Sequence, residues 1–132
     1  MIYLASPYTS TSLAEQQYRF EAVCRHASQW MRRGLYVYSP IAHTHPIALR
    51  GGLPGDWSYW ERFDRWFIER CDLVAVLMLP GWEGSEGVQA EITMARELHK
   101  PVIYLTPEVP DEFNENDLHA LLAEKRKEAG GV

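Results

Sequence analysis

The chain has 132 residues, a formal net charge of −5, five tryptophans and seven tyrosines, a length that holds one domain (1–132) with its own core and leaves no room for a second catalytic domain. The acidic balance, broken only by a basic cluster at Lys125-Arg126-Lys127, excludes an extended nucleic-acid groove and favours a small polar ligand. No apolar run approaches the roughly 20 residues of a membrane span, Cys24 and Cys71 lack zinc or disulfide spacing, and the opening residues do not read as a leader, so the expected setting is cytoplasmic, with no membrane, metal or cofactor.

The first element is a strand-like run from Met1 to Ala5 that places Tyr3 and Ala5 on one face; the loop Ser6-Pro7-Tyr8-Thr9 follows. Leu13, Phe20, Val23, Ala27, Trp30 and Met31 recur near helical spacing, and Gly34 supplies a stop. A second strand-like run, Leu35 to Ser39, leads into Pro40-Ile41-Ala42-His43-Thr44-His45-Pro46, expected as a loop that roofs a pocket. After the breaker cluster Gly51-Gly52-Leu53-Pro54-Gly55, Asp56 is a candidate cap for a helix marked by Trp60, Phe63, Phe67 and Ile68.

The third strand-like run, Asp72 to Leu79, is followed by Pro80-Gly81-Trp82-Glu83-Gly84-Ser85 and then by a helix whose packing face is Val88, Ile92, Ala95 and Leu98. Glu91 borders that face rather than opposing it, which lets its carboxyl reach a cleft. A fourth strand-like run covers Pro101 to Thr106, and a last helix near Glu115 to Lys127 carries Leu118, Leu121 and Leu122. Residues 125–132 are charged and then glycine-rich, the pattern of a disordered tail.

Strands alternating with helices define an α/β fold, here a single doubly wound three-layer sandwich with a mainly parallel, Rossmann-like or flavodoxin-like sheet of strand order 2-1-3-4. Ligands bind such sheets where the strand order reverses, beyond the carboxyl ends of strands one and three. The loops at Ser6–Thr9 and Pro80–Ser85 should therefore face each other across one pocket. Glycine in the Gly84-Ser85-Glu86-Gly87 stretch permits close backbone approach, and the N-H groups of a helix start attract phosphate or carboxylate.

Three segments resemble the nucleoside 2-deoxyribosyltransferase superfamily, which includes 2′-deoxynucleoside 5′-monophosphate N-glycosidases. Ile2-Tyr3-Leu4-Ala5-Ser6-Pro7 is similar to its first strand, whose tyrosine turns toward a catalytic carboxylate. Asp64, ahead of Asp72-Leu73-Val74-Ala75-Val76, matches the position of an active-site aspartate. Ser85-Glu86-Gly87-Val88-Gln89-Ala90-Glu91 resembles the Ser-x-Gly-Val-x-x-Glu of the nucleotide glycosidases, where serine binds the 5′-phosphate and glutamate is the nucleophile.

The resemblance implies a nucleoside or nucleotide N-glycosidase or deoxyribosyltransferase that needs no cofactor and self-associates as a dimer or higher oligomer. Glu91 would be the nucleophile, Tyr3 would orient it, and Asp64 would either hold sugar hydroxyls or protonate the leaving base. Ser6, Pro7, Tyr8, His43, His45, Gly81, Trp82, Gly84, Ser85 and Gly87 are the expected substrate contacts.

Plainer readings stand beside these. Tyr3 fits core filling, Asp64 a salt-bridged helix surface among Glu61, Arg62, Arg65 and Glu69, and Ser85 an ordinary helix cap. Two other functions stay open: a nucleotide-binding module without catalysis, and a phosphoribohydrolase-like enzyme releasing a modified base, whose glutamate spacing the loop does not match.

Overall fold

The computed structural model describes residues 1–108; the expected last helix and tail lie outside the described residues. Four strands, β1 (Ile2–Ala5), β2 (Val37–Tyr38), β3 (Leu73–Leu77) and β4 (Val102–Leu105), form an all-parallel sheet in the order β2-β1-β3-β4. Four helices, α1 (Leu13–Arg32), α2 (Pro40–Gly51), α3 (Trp57–Arg70) and α4 (Glu86–Glu97), complete a doubly wound three-layer sandwich.

Alternation along the central strands decides which helices cover which face. Ile2, Leu4, Leu73, Ala75 and Leu77 point to one side, where Val23, Ala27 and Trp30 of α1 seal them. Tyr3, Ala5, Val74 and Val76 point to the other, against Ile68 of α3 and Val88, Ile92 and Ala95 of α4. Because β1 and β3 are buried on both faces, their sequences read as continuous apolar runs, as parallel strands do.

Local chemistry sets the helix ends. Ser12 caps α1 by accepting the Glu15 N-H at 3.2 Å, and Gly34, at φ +81°, terminates it with an N-H to the Met31 carbonyl at 3.0 Å. Ser85 caps α4 through the Val88 N-H at 3.3 Å. Asp56 stands at the N-cap of α3 without making a side-chain capping bond; its carboxylate accepts from the Ser58 hydroxyl.

The stretch expected as a loop after β2 is the helix α2. Ser39 caps it through the Ala42 N-H at 3.1 Å, and Pro40 occupies the start of the helix, where a missing N-H costs nothing. Pro46 sits inside the helix, and Gly52 closes it in a left-handed conformation. Among the described residues no helix is long and apolar enough to cross a membrane.

Candidate active site

The carboxyl ends of β1 and β3 open into a cavity of about 580 Å³. Its walls come from the loop after β1, the inner side of α2, the starts of α3 and α4, and two carboxyls, Asp64 and Glu91. Helix α2 thus provides the roof expected of a loop, through residues such as Ile41, His45 and Leu49.

Glu91 is only 4% exposed and Asp64 only 7%. Glu91 lies in the second turn of α4 and Asp64 in the middle of α3, and these helices pack side by side on the same sheet face. Tyr3, on β1 beneath them, donates its hydroxyl to Glu91 Oε2. The three expected catalytic residues are therefore brought together by three separate elements.

Their electrostatics follow from burial. Removal from water pushes Asp64 up to about 7, with the Tyr3 hydroxyl pulling in the other direction. Burial also raises Glu91 well above the usual carboxylate range, the nearby Asp64 charge adds to the rise, and the Tyr3 hydrogen bond opposes it. Burial thus drives both carboxyls toward their protonated forms, and the Asp64 charge adds to that drive on Glu91. Tyr3 stays protonated because burial and the two carboxyls raise its pKa far above the ordinary phenol value.

The charged neighbours of Asp64 on α3 engage other partners: Arg65 pairs with Glu97 at 3.7 Å, and Arg62 lies over the Phe63 ring. Asp64 points inward instead.

Of the expected substrate contacts, Ser6, Tyr8, His45, Gly84, Ser85 and Gly87 line the cavity. Tyr8 and His45 form a unit. His45 Nε2 lies 3.4 Å from Gln17 Oε1, which assigns the ring proton to Nε2 and leaves Nδ1 to accept the Tyr8 hydroxyl proton. Burial lowers the His45 pKa and keeps the ring neutral.

The other four do not line it. Pro7 is buried within the loop after β1, and His43 is exposed on α2 with its ring 5.9 Å from that of Tyr38. Trp82 packs its ring 5.7 Å from that of Tyr104 of β4. Gly81 faces Arg19 rather than the cavity: its φ is +93°, and a Cβ there would stand 2.6 Å from the guanidinium.

Arg19 is the main residue that sequence reasoning missed. Its guanidinium donates to the Thr9 carbonyl at 2.9 Å and the Pro80 carbonyl at 3.1 Å, and pairs with Glu15 at 3.0 Å. One buried side chain thus ties together the loops after β1 and β3. The signal was present in the spacing of Arg19, Val23 and Ala27, which puts a cation on the buried stripe of α1. Tyr38 was also missed: it stacks on Phe67 at 3.9 Å, lies 5.8 Å from Tyr3, and has its pKa raised by burial, then by Asp64 and Glu91. Among the described residues no group of three or more His, Cys, Asp or Glu is arranged to hold a metal ion.

The fold and site define a doubly wound α/β protein with a buried carboxyl pair in a pocket at the switch point of its sheet. The chain belongs to the family described as Domain of unknown function (DUF1937), which matches residues 1–106. That span contains the four strands, the four helices and the cavity. A comparison with curated proteins returned no match.

Proposed function

We propose that this protein cleaves the N-glycosidic bond of a nucleoside or nucleoside 5′-monophosphate, as a nucleoside 2-deoxyribosyltransferase-like enzyme with Glu91 as nucleophile. The observation that carries the reading is the Tyr3 to Glu91 hydrogen bond beside Asp64 in the cavity. Cleaving this bond develops positive charge at the anomeric carbon and negative charge on the departing base, so it calls for one ionised carboxyl and one protonated one.

Two buried carboxyls with raised proton affinity can meet that need, one ionised and one protonated. The reaction needs Glu91 ionised and the proton on Asp64 when substrate is bound, and the Tyr3 hydroxyl is the contact that favours charge on Glu91 against the rise that burial imposes. Glu91 attacks the anomeric carbon as the C-N bond breaks; the bonding electrons pass to the base nitrogen, and Asp64 delivers its proton to the base. Asp64, now a carboxylate, takes a proton from water or from an acceptor base that attacks the same carbon and releases Glu91. The burial that brings Asp64 to about 7 makes it a competent acid and base at neutral pH.

The test is chromatographic detection of free base after incubating wild type and Glu91→Ala with ribo- and deoxyribonucleosides and their 5′-monophosphates, with and without an acceptor base. Release by wild type alone supports the reading. No release from any member at high enzyme concentration overturns it in favour of a binding module.

A further inference from the structure

We infer that the pocket takes a nucleoside lacking a 5′-phosphate, an inference that rests on the N-glycosidase reading and narrows its substrate class. It departs from the Ser85 motif, which by resemblance points to a nucleotide.

The first argument is charge. The cavity lining includes Asp56, Asp64, Glu86 and Glu91 and no lysine or arginine among the described residues. Asp56 is ionised, held below the usual carboxylate range by its Ser58 hydrogen bond. Arg19, the cation nearest the two loops, is engaged by two carbonyls and Glu15 and lines no part of the cavity. The start of α4 offers the partial positive charge of a helix dipole, but Glu86 in the same lining opposes it with a carboxylate. A phosphate dianion would enter against like charge, with no cation among the described residues of the lining to receive it.

The second argument is hydrogen-bond polarity, because a phosphate dianion only accepts. Several donors in the lining are already committed: the Tyr8 hydroxyl to His45, Gln16 Nε2 to the Ser10 carbonyl at 2.7 Å, Thr44 to the Pro40 carbonyl at 2.7 Å, and Trp60 Nε1 to the Pro54 carbonyl at 2.8 Å. The Tyr8 oxygen and the carboxylates are left as acceptors, which suit ligand O-H and N-H groups, while the Ser85 hydroxyl, which accepts from the Val88 N-H, keeps a single proton to donate.

Ser6 adds an independent sign of a ligand. It is 4% exposed, lines the cavity, and its hydroxyl has no hydrogen-bond partner among the described residues. A buried hydroxyl is rarely left unpaired. A neutral ligand hydroxyl would satisfy it, either accepting its proton or donating to its oxygen.

The experiment measures equilibrium binding of paired nucleosides and their 5′-monophosphates by tryptophan fluorescence, alongside base release from the same pairs. The expected result is binding of the nucleoside at least about tenfold tighter than of its monophosphate. In the doubly neutralised variant Asp56→Asn with Glu86→Gln that gap should narrow by at least about threefold. Equal or tighter binding of the monophosphate overturns the inference, as does failure of both classes to bind at millimolar concentration. Base release chiefly from monophosphates sinks it while sparing the glycosidase reading; tighter nucleoside binding without any base release does the reverse.

Discussion

Arg19 and the Glu91–Asp64 pair are both buried charge, and they are handled in opposite ways. The guanidinium of Arg19 has two backbone carbonyls and a carboxylate around it, so its charge is answered on every side. The carboxyl pair has one phenol hydroxyl in contact with Glu91; burial raises the proton affinity of both acids, and the Asp64 charge raises that of Glu91 further. A charge with its partners in place holds structure together. A pair of like groups kept from water and from cations has free energy that a ligand can relieve, which is why perturbed acids mark reactive sites.

The sharpest break of this comparison is Glu91→Ala, which should abolish base release by about a thousandfold or more, some 4 kcal/mol of transition-state stabilisation, without lowering the melting temperature. Arg19→Ala should do the opposite. Leaving the Thr9 and Pro80 carbonyls unpaired costs about 3 kcal/mol of folding stability, read by urea denaturation, with activity falling through a weaker KM as the pocket walls loosen.

Next in size is the relief of the acid pair. Asp64 has an ordinary value of 3.8 and is raised to about 7 in the folded chain, so the folded state binds its proton more tightly than the unfolded one. Its contribution to stability is complete below about pH 4 and is lost as pH rises through about 7. Denaturation midpoints of wild type should therefore fall across that window, and those of Asp64→Asn should fall less steeply, leaving the variant about 2 kcal/mol more stable at pH 8. A variant with an unchanged slope would show that this carboxyl is not the one titrating.

The smallest effect is expected from Tyr3→Phe, which keeps the ring and removes one hydrogen bond. Base release should drop about tenfold, and the acid limb of the pH–rate profile should move upward because Glu91 loses the group that favours its charge. A drop with no movement of that limb would assign Tyr3 to packing alone.

The strands and their order were readable because the apolar runs of β1 and β3 are bounded by small and turn-forming residues, and because right-handed crossovers leave few alternatives. Helix α2 was not, since Pro40, Pro46 and two histidines in seven residues suppress helical pattern. The Ser39-Pro40 start was the local signal for it. Spacing from Val88 and Ala95 could place Glu91 at the border of a packing face, but its near-complete burial depends on α3 lying alongside. Asp64 read equally well as surface, since a sequence does not say which way a helix turns when charges surround its aromatic stripe. The cavity contacts of Ser6 and Tyr8 followed from loop position, whereas the outward turn of His43 and Trp82 depends on helix phase and on Tyr104 from another strand.

The approach of Arg19 to Gly81 ties two distant codons together. A β-carbon at position 81 would have to share space with the guanidinium, 2.6 Å away, on a backbone of φ +93° that resists side chains in any case. Replacing Gly81 alone strains the loop, and shortening Arg19 alone leaves the clasp empty. Drift through this family should therefore exchange the two positions jointly or leave both untouched, making them one inherited character written in two places.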